Sequence, residues 1–350
     1  MTTVAPPIRA GWLRDAQFDL TFVVGVAVLG IASGILVALR PALFGLVLTL
    51  DLWLLAYHHV VATYTRLCFD LESAKANRFL LFYLPPLVVT AVVAAYFLVG
   101  VWAIATVYLY WQWWHYTRQS YGVGQIYKKK ASVAFTQPDL LSKAAIYLLP
   151  LWGIIHRSNQ APDRFLGLEL KVITFPGIVE TAVGVAAAAS IVWWIVERYQ
   201  AARQGEFAPA HTLYMVSHWA VFWVGYVLIA NIDAGWITLN VWHNAQYVLF
   251  VWLFNSNRFR GGIDEKARFL STISQRGNVA AYFGFLVAIS SILYFATATS
   301  LNSFGSTLPL VLIAYQAINF HHYIVDSKIW KVRQKPIQDT LQLTTIDDTA

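Results

Sequence analysis

Long apolar runs, separated by short polar or Gly/Pro-containing breaks, recur along the chain from Phe18 to its C-terminal tail. A run of about 20 residues rising about 1.5 Å per residue crosses a hydrocarbon core about 30 Å thick. The pattern predicts about ten transmembrane helices, at 18–39, 41–64, 79–99, 101–121, 140–155, 173–196, 212–230, 236–254, 279–298 and 308–326. The expected fold is all-α, a polytopic integral membrane helix bundle, with residues 1–333 as one transmembrane helical domain. Residues 334–350 form a polar tail rich in Thr and Asp, expected to be disordered and cytoplasmic. The first run is not followed by a small-residue cleavage site and is long enough to span, so it reads as a retained helix. Gly100 alone divides spans three and four, and the longest outer connection, 156–172, contains Pro162 and mixed charge and is expected to be an ordinary solvated loop. No repeat of 20–50 residues and no inverted halves are detectable.

Composition agrees with the bilayer as solvent: 58% of residues are hydrophobic and only 12% charged, outside the range of soluble domains. The net charge of +7 is a matter of topology. With the N-terminus placed in the cytoplasm, 21 of the 25 Lys and Arg fall on that side, and only Arg40, Arg157, Arg164 and Lys171 fall outside. This positive-inside bias puts both termini in the cytoplasm, as in a multi-pass protein of a bacterial inner membrane. It also accounts for the basic excess through anionic membrane lipids, and nucleic acid is excluded as a partner. The 15 Trp and 18 Tyr fit interfacial anchors. The single cysteine, Cys68, rules out a disulfide framework or a thiolate cluster, so any metal must take nitrogen and oxygen ligands.

Polar side chains inside the spans carry the candidate chemistry, because each is costly to place in hydrocarbon. In span two, His59 with Arg66 and Asp70, seven and eleven residues on, returns to one helical face. This places an imidazole inside, with a cation and a carboxylate at the cytoplasmic mouth. His58 points about 100° away, toward a neighbouring helix or the edge of the site. Span four carries Tyr108, Gln112, His115 and Gln119 on one stripe among Trp111, Trp113 and Trp114. Span eight carries Asn240, His243 and Tyr247, although His243 lies nearer mid-membrane and joins the others only through tilt or an elongated site. Span ten ends in Asn319-Phe320-His321-His322-Tyr323-Ile324-Val325-Asp326, with Tyr315, Asn319, His322 and Asp326 on one face. His218 is expected to bond across helices, His156 and His211 lie in or near loops, and Asp51 is isolated and without a role.

His59, His115 and His322 each lie about six residues from the cytoplasmic ends of their spans, at one depth of about 8 to 10 Å. Imidazoles at a common depth on three helices, with a carboxylate and no thiolate, suit a transition metal. Iron is preferred, since a site within the bilayer meets both a lipid-borne substrate and O₂ in water-poor surroundings. The expected metal ligands are His58, His59, His115, His243, His321, His322 and Asp326. Asp326, Arg66 and Tyr108 are the candidate catalytic side chains, with Arg66 near an anionic head group.

The paired histidines at 58–59 and 321–322 resemble the histidine boxes of membrane fatty-acid desaturases, hydroxylases and alkane monooxygenases, without their HxxxH and HxxHH spacing. The Trp242-His243 segment on a polytopic chain with scattered histidines is similar to Brp/Blh-type membrane carotenoid dioxygenases. These resemblances imply a non-haem iron enzyme. The expected function is a membrane-embedded, histidine-ligated, metal-dependent oxidoreductase of lipid metabolism (oxygenase, hydroxylase or desaturase type) acting on a lipid or isoprenoid substrate, its redox partner unidentified. The alternatives are a metal-free lipid-modifying transferase or cyclase using His322 and Asp326 as acid and base, a proton-coupled transporter, and a bis-histidine haem protein.

Overall fold

The computed structural model describes residues 11–131, 140–303 and 309–343, and these form a helical bundle with one two-residue-stranded hairpin. The longer helices are α1 (Ala16–Leu39), α2 (Pro41–Leu67), α4 (Phe79–Leu98), α5 (Val101–Lys130), α6 (Leu140–Asn159), α7 (Gly177–Arg203), α8 (209–228), α9 (Ile232–Arg258), α11 (Val279–Ser303) and α12 (Leu310–Ile329). Short helices α3 (Leu71–Ala76), α10 (Arg268–Ile273) and α13 (Lys335–Leu341) lie in the connections and at the C-terminal end.

Five stretches are long and apolar enough to cross a membrane: α1, α2, α4, α7 and Arg276–Ser303, which contains α11. In each, between 17% and 39% of the most apolar window is buried, so most of its side chains face outward. Helices α5, α6, α8, α9 and α12 are more polar and more enclosed. α9 is the extreme case: from Ala234 to Ser256 nearly every side chain is buried, including Thr238, Asn240, His243, Asn244, Gln246 and Asn255. Polar side chains at membrane depth are tolerated where protein surrounds them, so an apolar shell screens a polar centre. The close approach of α1 to α9 depends on Gly30 and Gly34, whose Cα atoms face the α9 backbone and side chains at Ala234, Thr238 and Trp242.

Prolines and buried cations set local geometry. Pro150 within α6 has no N–H to give the Ile146 carbonyl four residues earlier. That carbonyl instead accepts a hydrogen bond from His218 Nε2 at 3.0 Å, while Trp219 Nε1 donates to the Ala145 carbonyl at 2.8 Å. His218 Nδ1 lies 2.7 Å from the Ser120 hydroxyl, so its role is to join α5, α6 and α8. Arg157, at the end of α6 and 1% exposed, donates to the carbonyls of Gly225, Ile229 and Ala230, which the end of α8 leaves open.

Three expectations change. The connection 156–172 folds inward: β1 (Arg164–Phe165) and β2 (Leu168–Glu169) pair antiparallel across Leu166 and Gly167, both at positive φ (50° and 78°) as a tight two-residue hairpin needs. Asp233 accepts from the Leu166 N–H, and Phe165 packs against Tyr108 and Trp236. The tail is folded as far as Leu343, since α13 buries Ile337 and Leu341 beside Phe250, Phe254 and Trp330. Residues 344–350 lie outside the described residues. Asp70 does not share a helical face with His59 and Arg66: α2 ends at Leu67, and Asp70 instead N-caps α3 and binds Arg258 at 2.9 Å. Burial pushes its carboxyl up, but bonds from the Ser73 N–H and hydroxyl, together with Arg258, hold it below the usual range.

Candidate metal centre

Four helices bring His59 (α2), His115 (α5), His243 (α9), His322 and Asp326 (both α12) to one buried locus. A π-helical turn over Leu52–Ala56 shifts the phase of α2 just before His58 and His59. The Nε2 atoms of His59 and His322 are 3.0 Å apart. Asp326 Oδ2 lies 3.4 Å from His322 Nε2 and 3.8 Å from His115 Nε2. His243 closes the ring, with its centroid 5.3 Å from that of His59 and 4.9 Å from that of His115. Two overlapping triads, His59-His243-His322 and His115-His322-Asp326, each keep their ligand atoms within 4.8 Å of one another.

Ligands bound at about 2.0 to 2.2 Å to one ion stand about 3 to 4 Å apart, depending on the angle between them, and the three atomic separations above fall in that range. His115 Nε2 and His243 Nδ1 are buried with no hydrogen-bond partner among the described residues, a costly state for buried nitrogen atoms. The residues therefore fit a transition metal bound by nitrogen and oxygen.

Proton counting around His322 sharpens this fit. Trp330 Nε1 can only donate, and it reaches Tyr247 OH at 2.9 Å. Tyr247 OH donates to Asp326 Oδ1 at 2.7 Å, which uses its one proton. Thr63 Oγ1 lies 2.8 Å from Tyr247 OH and 3.4 Å from the His59 carbonyl, and the shorter contact takes its proton. With that proton committed, Thr63 accepts from His322 Nδ1 at 3.0 Å. An ionised Asp326 thus fixes the Nδ1–H tautomer and turns the Nε2 lone pair toward Asp326 Oδ2 and His59. Lone pair facing carboxylate is repulsive unless a proton or a metal cation lies between them, and the set of ligands around this pair suits the latter. We expect Tyr247→Phe to weaken metal binding about 10- to 100-fold, because Asp326, Thr63 and Trp330 all lose a partner. Competition against a metal-indicator dye measures this, and an unchanged affinity would remove Tyr247 from the orienting network.

Several expected site residues lie elsewhere. His58 turns to the other side of α2, its Nδ1 3.4 Å from the Leu54 carbonyl and its ring against Phe283. His321 donates from Nε2 to the Leu80 carbonyl at 2.7 Å and faces the Tyr64 hydroxyl, tying α12 to α4. Adjacent residues on a helix diverge by about 100°, so only one of each pair enters the centre. Arg66 lies over the rings of Phe254 and Trp330, at 4.2 and 5.3 Å. Asp51, given no role, is buried and accepts from the amides of Asn240 and Asn244, with Asn240 also held by Gln112 and Tyr116. Thr63 and Trp330 escaped sequence reasoning. The signal for Thr63 was a four-residue step from His59 on α2, whereas Trp330 lies just past the end of α12, where the step from Asp326 fixes no face.

Two cavities meet the centre from different sides. The larger, about 700 Å³, reaches His115, Tyr247 and Asp326 from the end of the bundle where α5 and α12 close. The smaller, about 180 Å³, touches His59 and His243 and runs past Tyr108 and Asn240 to Leu166 of the hairpin. Tyr108 thus lines the approach to the histidines without joining them. Comparison of the chain with protein-family models, with curated proteins and with solved structures finds no match.

Proposed function

We propose that this protein is a membrane-embedded oxidoreductase whose single transition-metal ion, iron by preference, is held by His59, His115, His243, His322 and Asp326. The observation that carries the reading is the convergence of four imidazoles and one carboxylate, with two ring nitrogens otherwise unpartnered among the described residues. One nitrogen ligates one ion, and His322 offers only Nε2, which favours one shared ion over two. Iron there supplies redox chemistry and activation of O₂.

The chain's own residues supply the rest. Trp330, Tyr247 and Thr63 hold Asp326 and His322 in orientation. Trp111, stacked on Phe320, walls the approach and excludes water. The substrate class is a lipid or isoprenoid, reached from the bilayer. In this reading the five enclosed helices also cross, giving ten spans with both termini in the cytoplasm of a bacterial inner membrane.

Metal analysis of the protein purified in neutral detergent tests the proposal: iron, or another transition metal, is expected near one per chain. Full activity on a lipid substrate after complete metal removal would sink it. A second reading, proton-coupled transport, draws on the placement of the histidines between two cavities. It is favoured instead if metal-free protein moves a substrate with protons in proteoliposomes.

A further inference from the structure

The 700 Å³ cavity has walls of two chemistries. At its mouth stand Arg118 and Lys129 of α5, Lys143 of α6, and Lys331 and Arg333 of the segment joining α12 to α13. Among the described residues its one acidic lining residue is Asp326, at the inner end beside His115. Toward the centre the lining becomes aromatic, with Trp111, Trp114 and Tyr323. Trp114 is half exposed on the outside of the bundle, so this wall is continuous with the lipid-facing surface.

A positive-inside bias explains basic residues on the cytoplasmic side, but it does not gather five of them from three separate parts of the chain around one opening. Cations around an opening with low-dielectric aromatic walls focus a positive field into it. The volume suits one extended chain of ordinary lipid size.

We propose that this cavity binds an amphiphile with an anionic head group, a phosphate or a carboxylate, held by the basic rim. Its apolar chain lies along Trp111, Trp114 and Tyr323 and brings a carbon of that chain toward His115 and Asp326. The assignment rests on the oxidoreductase reading for what happens at the centre, but the binding itself does not require metal.

The intrinsic tryptophan fluorescence of the purified protein in neutral detergent reports occupancy during titration with dodecyl phosphate, dodecanol and inorganic phosphate. Dodecyl phosphate is expected to bind about tenfold or more tighter than either of the others, and to weaken as salt is raised. The double variant Arg118→Gln/Arg333→Gln is expected to lose most of the preference over dodecanol. Equal binding of dodecanol would overturn the anionic half of the proposal, and equal binding of inorganic phosphate the apolar half. If the double variant does not fold, the wild-type selectivity and its salt dependence decide alone. Metal content measured on the same samples separates the two readings: selective binding by metal-free protein leaves this inference standing while removing the oxidoreductase. Metal-loaded protein without selectivity does the reverse.

Discussion

His322→Ala is expected to strip the protein of its metal, from near one ion per chain to less than about a tenth, with any metal-dependent activity lost. His322 is the one imidazole common to both triads, and its Nε2 approaches both His59 and Asp326. Removing it also costs Thr63 one of its partners and leaves Asp326 facing a cavity in place of the imidazole. Loss of an orienting partner alone weakens metal sites about 10- to 100-fold, and loss of the ligand itself is expected to exceed that. Because bound metal stabilises the native state by mass action, a chelator should lower the melting temperature of the wild type and leave that of His322→Ala unchanged. His58→Ala is the control: its side chain faces Phe283 rather than the centre, so it should keep its metal. Retention of wild-type metal by His322→Ala would refute the site.

Much of this centre was legible in the sequence because depth along a helix follows directly from residue count. His59, His115 and His322 could be set at one level from span ends alone, and the structure brings them together. His243 was the doubtful member, being nearer mid-membrane, and it joins because the centre extends inward to the small cavity it shares with His59. Rotation was less legible. The doubled histidines offered two candidates each, and only packing decided that His58 and His321 turn toward Phe283 and Leu80.

The expected common face of His59, Arg66 and Asp70 failed for a different reason. An offset of four residues keeps two side chains on one face only while the helix continues, and α2 stops at Leu67. The outermost elements were misjudged where a few apolar residues sit in polar surroundings. Pro336 in the first turn and the four-residue step from Ile337 to Leu341 are the signature of a short amphipathic helix, and α13 uses it to cover Trp330. Apolarity likewise marks the most exposed helices best. The five stretches long and apolar enough to cross a membrane have mostly outward-facing side chains, whereas α9, which carries His243, is too polar to qualify. α2 qualifies although it carries His59, so the polar groups of a site lower the signal most where they crowd one helix, as on α9.

The packing of α1 on α9 gives the second large effect, because it holds His243 in place. A Cβ at Gly30 would lie 2.6 Å from the Thr238 carbonyl oxygen and 2.8 Å from Trp242 Cβ, so it presses on the residue beside His243. A Cβ at Gly34 would overlap the Thr238 hydroxyl and lie 2.9 Å from the Ala234 carbonyl. Overpacking of this kind costs about 1 to 3 kcal/mol, and against backbone it cannot be relieved by a rotamer change. Gly30→Ala is therefore expected to lower thermal stability and metal content together, and Gly30→Val to abolish most of the folded yield. Thr238→Ala should separate the two glycines. It removes the hydroxyl that Gly34→Ala meets and should restore part of that loss, a coupling of about 0.5 to 3 kcal/mol in a double-mutant cycle. It leaves the carbonyl that Gly30→Ala meets, so no rescue is expected there. Melting curves and metal stoichiometry on the three single variants and the two doubles with Thr238→Ala measure both effects. If Gly30→Ala melts and binds metal as the wild type does, the α1–α9 contact does not position His243.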